Sequence, residues 1–117
     1  MQLIKLNNKF KNKKNIIFFS NNEIKLILQL YSTQVASGFF KDYAIDNISK
    51  LAVFSFYKHT YDKPLFQIEK KVQKKNNYTP EFTIKFKKQI VDKNKSLNVL
   101  INKLNKKFNT LKLKKIS

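Results

Sequence analysis

The side chains whose number and spacing best suit a binding function are lysines. The 117-residue chain has 25 lysines, no arginine and 7 acidic residues, which gives a formal net charge of +18. Seven of these lysines lie between residues 70 and 88, namely Lys70, Lys71, Lys74, Lys75, Lys85, Lys87 and Lys88. Because a β-hairpin would gather these charges at one end of a sheet, we predict a site for the phosphates of RNA or DNA.

The chemistry of lysine sets the character of this predicted site. A lysine ammonium meets a phosphate as a point charge and lacks the planar fork with which arginine reads a guanine edge. Binding is therefore expected to be electrostatic and weakly sequence-specific, with an affinity that falls as salt rises. An equally weighted alternative is a solvated basic edge that discourages strand-on-strand aggregation.

A second group of polar residues lies in the middle of the chain and comprises Asp42, Tyr43, Asp46, Lys58 and Glu69. If neighbouring strands bring them together, residues 42–70 could bind a protein partner or form a homodimer. Asp46 and Glu69 could also share a cation or a partner's lysine. Cross-strand ion pairs explain the same residues more simply. An enzyme built on Tyr43, Asp46 and Glu69 is the least favoured hypothesis.

The charge is distributed unevenly along the chain. Residues 1–15 carry five lysines and no acid, residues 16–69 carry five lysines and five acids, and residues 70–117 carry fifteen lysines and two acids. Basic ends of this kind are expected of a surface that meets phosphates or acidic lipid. The 14 asparagines follow the lysines along the chain, and both residue types have codons rich in A and T. Nucleotide bias in the genome is therefore an equally good explanation.

Composition excludes several classes of enzyme and metalloprotein. The chain has no cysteine, one histidine (His59) and one glycine (Gly38). These counts exclude thiol nucleophiles, cysteine-based metal centres, sites built from several histidines and glycine-rich phosphate loops. His59 lies in a predicted turn, where a single histidine is more often a solvated surface residue than a general base. We predict a non-catalytic protein without a cofactor or a metal.

The sequence predicts a flexible basic arm over residues 1–15, one α+β domain over residues 16–110 and a basic tail over residues 111–117. Its first residues lack the apolar core and the cleavage pattern of a secretory signal. No apolar run approaches the roughly 18–20 residues that span a bilayer. We therefore expect a soluble, cytoplasmic protein.

The clearest local pattern is the start of a helix. Ser20 and Glu23 have the spacing of a capping box, in which each side chain accepts a hydrogen bond from the other residue's amide. Apolar residues then recur at helical spacing, and Gly38 stands where a left-handed C-cap is needed. These signals predict a helix over about residues 21–37.

Apolar runs and alternation predict strands over residues 16–19, 42–46, 51–58, 65–72 and 82–86. In the last of these, apolar residues alternate with Thr83 and Lys85, which predicts one buried face and one face that presents lysines. Apolar spacing from Leu97 to Leu111 predicts a second helix that starts after Asp92 or slightly later. The predicted fold is a single α+β domain, with an antiparallel meander of four to five strands, two packed amphipathic helices and the order β-α-β-β-β-β-α.

Four aromatic residues on predicted neighbouring strands are Phe54, Phe56, Tyr57 and Phe66. Exposed aromatic residues flanked by cations could stack on nucleic-acid bases. Two helices must cover apolar sheet surface somewhere, however, so a role in the core is favoured.

The central blocks of the chain resemble a known family. They are Leu30-Tyr31, Val35-Ala36-Ser37-Gly38, Lys41-Asp42-Tyr43-Ala44-Ile45-Asp46, Ala52-Val53-Phe54-Ser55 and Pro64-Leu65-Phe66-Gln67-Ile68-Glu69-Lys70. In order and spacing they are similar to an uncharacterised alphaproteobacterial family, domain of unknown function 2794, over about residues 16–107. The family pattern is richer in arginine and glycine near the last strand and helix. The resemblance implies a shared fold and no known activity, and it draws attention to the charge-balanced centre.

Overall fold

Five strands and two helices form the described part of the chain, which in this computed structural model covers residues 16–36, 38, 40–59, 63–72 and 79–116, with side chains as far as residue 109. The helices are α1 (Asn21–Ala36) and α2 (Leu97–Ile116). The strands are β1 (Asp42–Ile48), β2 (Leu51–Tyr57), β3 (Phe66–Val72), β4 (Pro80–Phe86) and β5 (Gln89–Asn94). They form one sheet in chain order, and each neighbouring pair is antiparallel. The predicted α+β class, the meander and the two helices are confirmed.

Helix α1 begins at the predicted capping box. The Ser20 amide donates to Glu23 Oε1 at 2.7 Å, and the Glu23 amide donates to Ser20 Oγ at 3.1 Å. Beyond the helix, Gly38 has a φ of 77°, and its amide donates to the Val35 carbonyl at 2.8 Å. Both predicted caps are confirmed. They can be predicted because capping depends on residues that are close in sequence.

The strand predicted over residues 16–19 is wrong, since this segment belongs to no strand. The Phe19 ring is buried edge-on against Phe54, with 6.5 Å between the ring centroids. The Phe18 carbonyl accepts a hydrogen bond from the Lys70 ammonium at 2.9 Å. The Lys70 side chain therefore supplies the Phe18 carbonyl with the hydrogen bond that a neighbouring strand would supply in a sheet.

The fifth strand is instead β5, which no sequence pattern indicated. Its residues, Gln89–Asn94, lack the alternation of apolar and polar side chains that marks a half-buried strand. The turn before it is Lys87-Lys88, without the Asn or Gly that usually announces a two-residue hairpin turn. A register shift between Ile84 and Lys85 adapts β4 to this strand.

The two faces of the sheet have different surroundings. One face, here called the helix face, packs against α1 and α2 through a core that includes Phe54, Phe56, Phe66, Ile68, Phe82 and Ile84. The three phenylalanines of the predicted stacking group are at most 1% exposed, so their role in the core is confirmed. Tyr57 lies on the opposite, open face and is half-buried.

Helix α2 lies along the helix face and is tied to β5. It buries Leu97, Leu100, Ile101, Leu104 and Phe108, as their spacing predicts. Lys103 Nζ lies 3.0 Å from Asp92 Oδ2 on β5. The hydrogen bond from Lys103, followed by the one from the Lys93 amide, lowers the pKa of the Asp92 carboxyl.

The predicted arm and the predicted tail lie at the two ends of the chain. The backbone of α2 continues to Ile116, through most of the predicted tail over residues 111–117. The predicted arm over residues 1–15 lies outside the described residues. Within the described ranges, neither helix combines the length and the apolar character needed to cross a membrane.

One polar side chain is buried in the core without a hydrogen-bond partner. Gln34 on α1 is 0% exposed, and neither its Oε1 nor its Nε2 is hydrogen-bonded within the described structure. An unpaired buried amide costs about 1–3 kcal/mol. We expect Gln34→Met, which keeps the side-chain length, to raise the free energy of unfolding by about 1 kcal/mol in urea denaturation. The exposed Gln29→Met is the control, and an equal gain in both variants would contradict this explanation.

Candidate functional site

The meander places its connections at two opposite ends of the sheet. The turn end carries the β4–β5 turn and the connection from β2 to β3, over residues 58–65. The far end carries the β1–β2 turn, Ser49-Lys50, and the connection from β3 to β4. The described lysines near the strand ends and in the turns can therefore be assigned to one end of the sheet.

The seven lysines of the predicted phosphate site do not meet at one end. Lys71 is paired in register with Glu81 at the far end, whereas Lys87 and Lys88 lie at the turn end. A strand of this length separates the two ends by about 20 Å. Lys74 and Lys75 lie outside the described residues.

Lys70 connects the sheet to the start of α1. Its Nζ donates to Glu23 Oε1 at 2.7 Å and to the Phe18 carbonyl at 2.9 Å. The side chains of Lys70 and Glu23 are only 12% and 17% exposed. Lys70 therefore has a structural role, because its charge is compensated inside the protein.

Lys85 is neutralised on the open face. Its Nζ lies 2.9 Å from Glu69 Oε2, with the two side chains 26% and 14% exposed. Next to this pair, Gln67 Nε2 donates to Ser55 Oγ at 3.2 Å, and Thr83 is 8% exposed. The predicted alternation of β4 places Lys85 on this face, as expected, but the lysine is only partly exposed and is paired with Glu69 on the neighbouring strand.

The β4–β5 turn holds two lysines in the left-handed region. Lys87 has a φ of 50° and Lys88 a φ of 69°. Phe86 pairs with Gln89, so the turn has two residues, and positive φ at both is the type I′ arrangement. Left-handed backbone costs a residue with a Cβ about 1–2 kcal/mol. The Lys87 amide donates to the Leu65 carbonyl at 2.9 Å, which holds the turn against the β2–β3 connection.

A third lysine reaches the same place from α2. Lys87 Nζ lies 5.4 Å and Lys107 Nζ 5.9 Å from the centroid of the Phe86 ring, within the range of cation–π attraction. Lys87, Lys88 and Lys107 are here called the turn-end cluster. All three are exposed, and in the described part of the chain none of them is ion-paired.

Lys107 is the member of this cluster that sequence reasoning missed. Its position on the polar face of a helix gives no indication of which strand end lies nearby. The link is made by ring contacts, since Phe108 meets Phe66 at 4.8 Å and Phe66 meets Phe86 at 4.9 Å between centroids. No local pattern carries that information.

The surroundings of the cluster are basic. Lys58 and Lys63 belong to the β2–β3 connection at the same end of the sheet, and both are exposed. Three described acids, Glu23, Glu69 and Asp92, are instead paired with other lysines. Lysine charge is therefore compensated at these three acids, whereas Lys87, Lys88 and Lys107 have no ion pair among the described residues.

The predicted partner site is divided between the two faces and one end of the sheet. Its five residues are Asp42, Tyr43, Asp46, Lys58 and Glu69. Both acids of β1 share the open face with Glu69. Tyr43 lies on the helix face, stacked on Phe54 with 5.1 Å between centroids and 18° between ring planes. Lys58 follows β2 at the turn end.

Asp46 and Glu69 do not form a shared cation site. Both are paired in register with Val53, one on each side, so they are two strand spacings apart, about 10 Å. Within the described ranges, no three side chains of His, Cys, Asp or Glu are grouped as a metal site requires. Tyr31 on α1 contacts Tyr43 with 4.9 Å between ring centroids, and its pKa is raised by burial and further by the charges of Asp42 and Tyr43.

Comparison with known proteins identifies a family model that matches the part of the chain containing the sheet. The family model described as "Protein of unknown function (DUF2794)" matches residues 17–101. This span includes α1, all five strands and the start of α2, and it covers most of the chain. No curated protein and no solved structure matches the chain. The resemblance in the central blocks is therefore confirmed, and the chain belongs to the DUF2794 family of proteins of unknown function.

Proposed function

We propose that this protein is a small non-catalytic accessory module that binds RNA or DNA electrostatically through the turn-end cluster. The observation that carries the proposal is the convergence of Lys87 and Lys107, from two elements, on the ring of Phe86, with the exposed Lys88 next to Lys87 in the turn. The ring limits the volume over which the ammonium groups of Lys87 and Lys107 move. Both ammonium groups are therefore held at one end of the sheet, where they can contact phosphates.

The proposed site is narrower than the group of seven lysines that the sequence indicated. Lys70 and Lys85 are engaged by Glu23 and Glu69, and Lys71 lies at the far end. Among the described members of that group, Lys87 and Lys88 remain, while Lys74 and Lys75 lie outside the described residues.

The turn geometry is a second observation in favour of this site. Two residues with a Cβ are held at positive φ, where asparagine and glycine would be more stable. Backbone strain of this kind is concentrated at functional sites, where the surrounding structure maintains it. Lysines at these positions present two charges at the tip of a hairpin.

Binding through three phosphate contacts has a defined salt dependence. Each contact contributes about 0.7 with single-stranded RNA and about 0.9 with duplex DNA to the negative slope of log K against log salt, so the expected slope for duplex DNA is about −2.7. The affinity is then expected to fall about 40-fold between 50 and 200 mM salt. Lysine lacks a bidentate fork, so RNA and DNA of different sequence are expected to bind with similar affinity.

The test is the double variant Lys87→Asn/Lys88→Gly, measured by fluorescence anisotropy with a labelled single-stranded RNA and a labelled duplex DNA. It removes two of the three proposed contacts, so we expect about tenfold weaker binding and a slope near −1. The same variant restores the favoured type I′ residues and is expected to raise the free energy of unfolding by about 1 kcal/mol. A loss of affinity together with a gain in stability separates binding from misfolding.

The matched control is Lys93→Gln/Lys95→Gln. It makes the same change in net charge at exposed positions away from the turn end. Its affinity is expected to stay within about twofold of the unchanged protein. Equal losses in the two double variants would assign binding to diffuse charge, and absence of binding near physiological salt would refute the proposed function.

A second candidate function is a protein adaptor or homodimer that uses residues 42–70. The observation that favours it is the exposure of apolar side chains along β1, where Ile45 is 42% and Ile48 60% exposed. Exposed apolar side chains on an edge strand are a recognised basis for pairing with another chain.

A further inference from the structure

Strand β1 lies at the edge of the sheet with its outer side unpaired among the described residues. In the sheet order it neighbours only β2. Six of its seven residues are exposed, and Ala44 alone is partly covered. A long edge strand with exposed apolar side chains offers a template for a further strand.

Two observations identify the backbone groups that face outward from β1. The Tyr43 amide donates to Asp42 Oδ1 at 2.8 Å, which places this amide on the outer side. The bond from the Lys87 amide to the Leu65 carbonyl fixes the alternation across the sheet, and counting from it gives the same result. Tyr43, Ile45 and Asn47 therefore direct their N–H and C=O groups away from β2.

The outward side of β1 is complementary to itself. In an antiparallel pairing centred on Ile45, each Ile45 faces its copy, Tyr43 faces Asn47 and Asp46 faces Ala44. All the outward-facing residues are then opposite one another, as hydrogen-bonded pairs require. Ile45 can donate to the copy's Ile45 carbonyl and Asn47 to its Tyr43 carbonyl, while Asp42 already accepts from the Tyr43 amide.

Neighbouring registers are less favourable because they oppose acidic residues. A shift of two residues in one direction places Asp42 opposite Asp46, and a shift in the other direction places Asp46 opposite Asp46. Like charges directly opposite each other destabilise a strand pair. The register centred on Ile45 is the one that pairs all seven residues of β1.

Local charge favours a second copy at β1 and disfavours one at β5. The two acids of β1 are balanced by Lys41 and Lys50 at its ends, so two copies of a chain with a net charge of +18 can approach there. Strand β5 carries Lys93 and is flanked by Lys88 and Lys95, while its acid Asp92 is paired with Lys103. Two β5 strands would therefore repel each other.

We propose that β1 binds a second copy of this chain, giving a two-fold symmetric dimer in which the two sheets join edge to edge at Ile45. This inference rests on the second candidate function and names its partner. The apolar side chains of Ile45 meet across the axis, and four backbone hydrogen bonds connect the strands, two from Ile45 and two from Asn47. The turn-end clusters lie away from this edge and stay accessible.

The first experiment is sedimentation equilibrium of the full chain over a concentration series at physiological salt, without nucleic acid. The apparent mass is expected to rise towards twice 13.9 kDa with concentration. Ile45→Lys places two ammonium groups at the axis and is expected to hold the mass at 13.9 kDa. Ile90→Lys is the matched control, since Ile90 is 55% exposed on the other edge strand, and it is expected to dimerise as the unchanged protein does.

A second experiment tests the register. The chain has no cysteine, so Ile45→Cys introduces a single thiol. Hydrogen-bonded antiparallel partners have Cα atoms about 5.5 Å apart, within disulfide range, so mild oxidation is expected to give a covalent dimer. Ile90→Cys is expected to remain monomeric under the same conditions.

Three results would overturn the inference. They are a monomer at all concentrations, a dimer that Ile45→Lys leaves intact, and cross-linking through Ile90→Cys in place of Ile45→Cys. A monomer that binds a different protein through residues 42–70 would refute the dimer and leave the second candidate function standing. Nucleic-acid binding is measured separately, so its failure has no bearing on this result.

Discussion

Replacement of Phe40 by alanine is expected to lower the free energy of unfolding by about 3–5 kcal/mol. Phe40 is 1% exposed and lies between α1 and β1. Its ring meets Phe56 at 5.1 Å, Phe66 at 6.0 Å and Phe108 at 5.4 Å, each edge to face. It therefore joins β2, β3 and α2, and its removal leaves a cavity that three elements surround.

Urea denaturation followed by circular dichroism measures this effect. Phe18→Ala is the matched control, because the same side chain is removed at a position that is 58% exposed. A loss below about 1 kcal/mol is expected there. Phe40→Leu, which fills part of the cavity, is expected to lie between the two. Similar losses for Phe40→Ala and Phe18→Ala would show that Phe40 does not have this central role.

The importance of Phe40 could not be predicted from the sequence, whereas the ends of α1 could. The cap formed by Ser20 and Glu23 joins residues three apart, so a local pattern specifies it completely. Phe40 belongs to no periodic segment and lies in a connection between a helix and a strand. Its burial depends on rings that come from distant parts of the chain, and only the folded structure brings them together.

The same distinction applies to the candidate site. Lys87 and Lys88 are adjacent in the sequence, and the turn between β4 and β5 keeps them together in the structure. Lys70 and Lys85 belong to the same predicted group, because a hairpin would gather its charges at one end of the sheet, yet each is neutralised by an acid far away in the sequence, Glu23 or Glu69. A count of charges along the chain does not show which acid contacts which lysine. It therefore could not separate the lysines that are ion-paired from those that are not.

Lys70→Met is expected to lower the free energy of unfolding by about 2–3 kcal/mol. Methionine preserves the apolar length of the side chain but removes both hydrogen bonds from Nζ. Among the described residues, the Glu23 carboxylate, at 17% exposure, then keeps only its bond from the Ser20 amide, and the Phe18 carbonyl loses the Lys70 donor. Most of the expected loss comes from a carboxylate left unpaired in a largely buried position.

The neighbouring Lys71→Met provides the control, since it makes the same chemical change at an exposed position. Its free energy of unfolding is expected to change by no more than about 0.5 kcal/mol. Adding Glu23→Gln to Lys70→Met removes the unpaired charge, and glutamine retains the capping geometry, so about 1 kcal/mol should be recovered. Failure of that recovery would mean that lost packing, and not an unpaired carboxylate, causes the instability.

The Lys70→Met variant also separates structural lysines from binding lysines. Under conditions in which it remains folded, its affinity for RNA is expected to stay within about twofold of the unchanged protein, because the charge it loses was compensated by Glu23. Lys87→Asn/Lys88→Gly is expected to show the opposite combination, a more stable domain that binds more weakly. If Lys70→Met instead weakened binding without loss of stability, Lys70 would belong to the phosphate site and the division between compensated and uncompensated lysines would be incorrect.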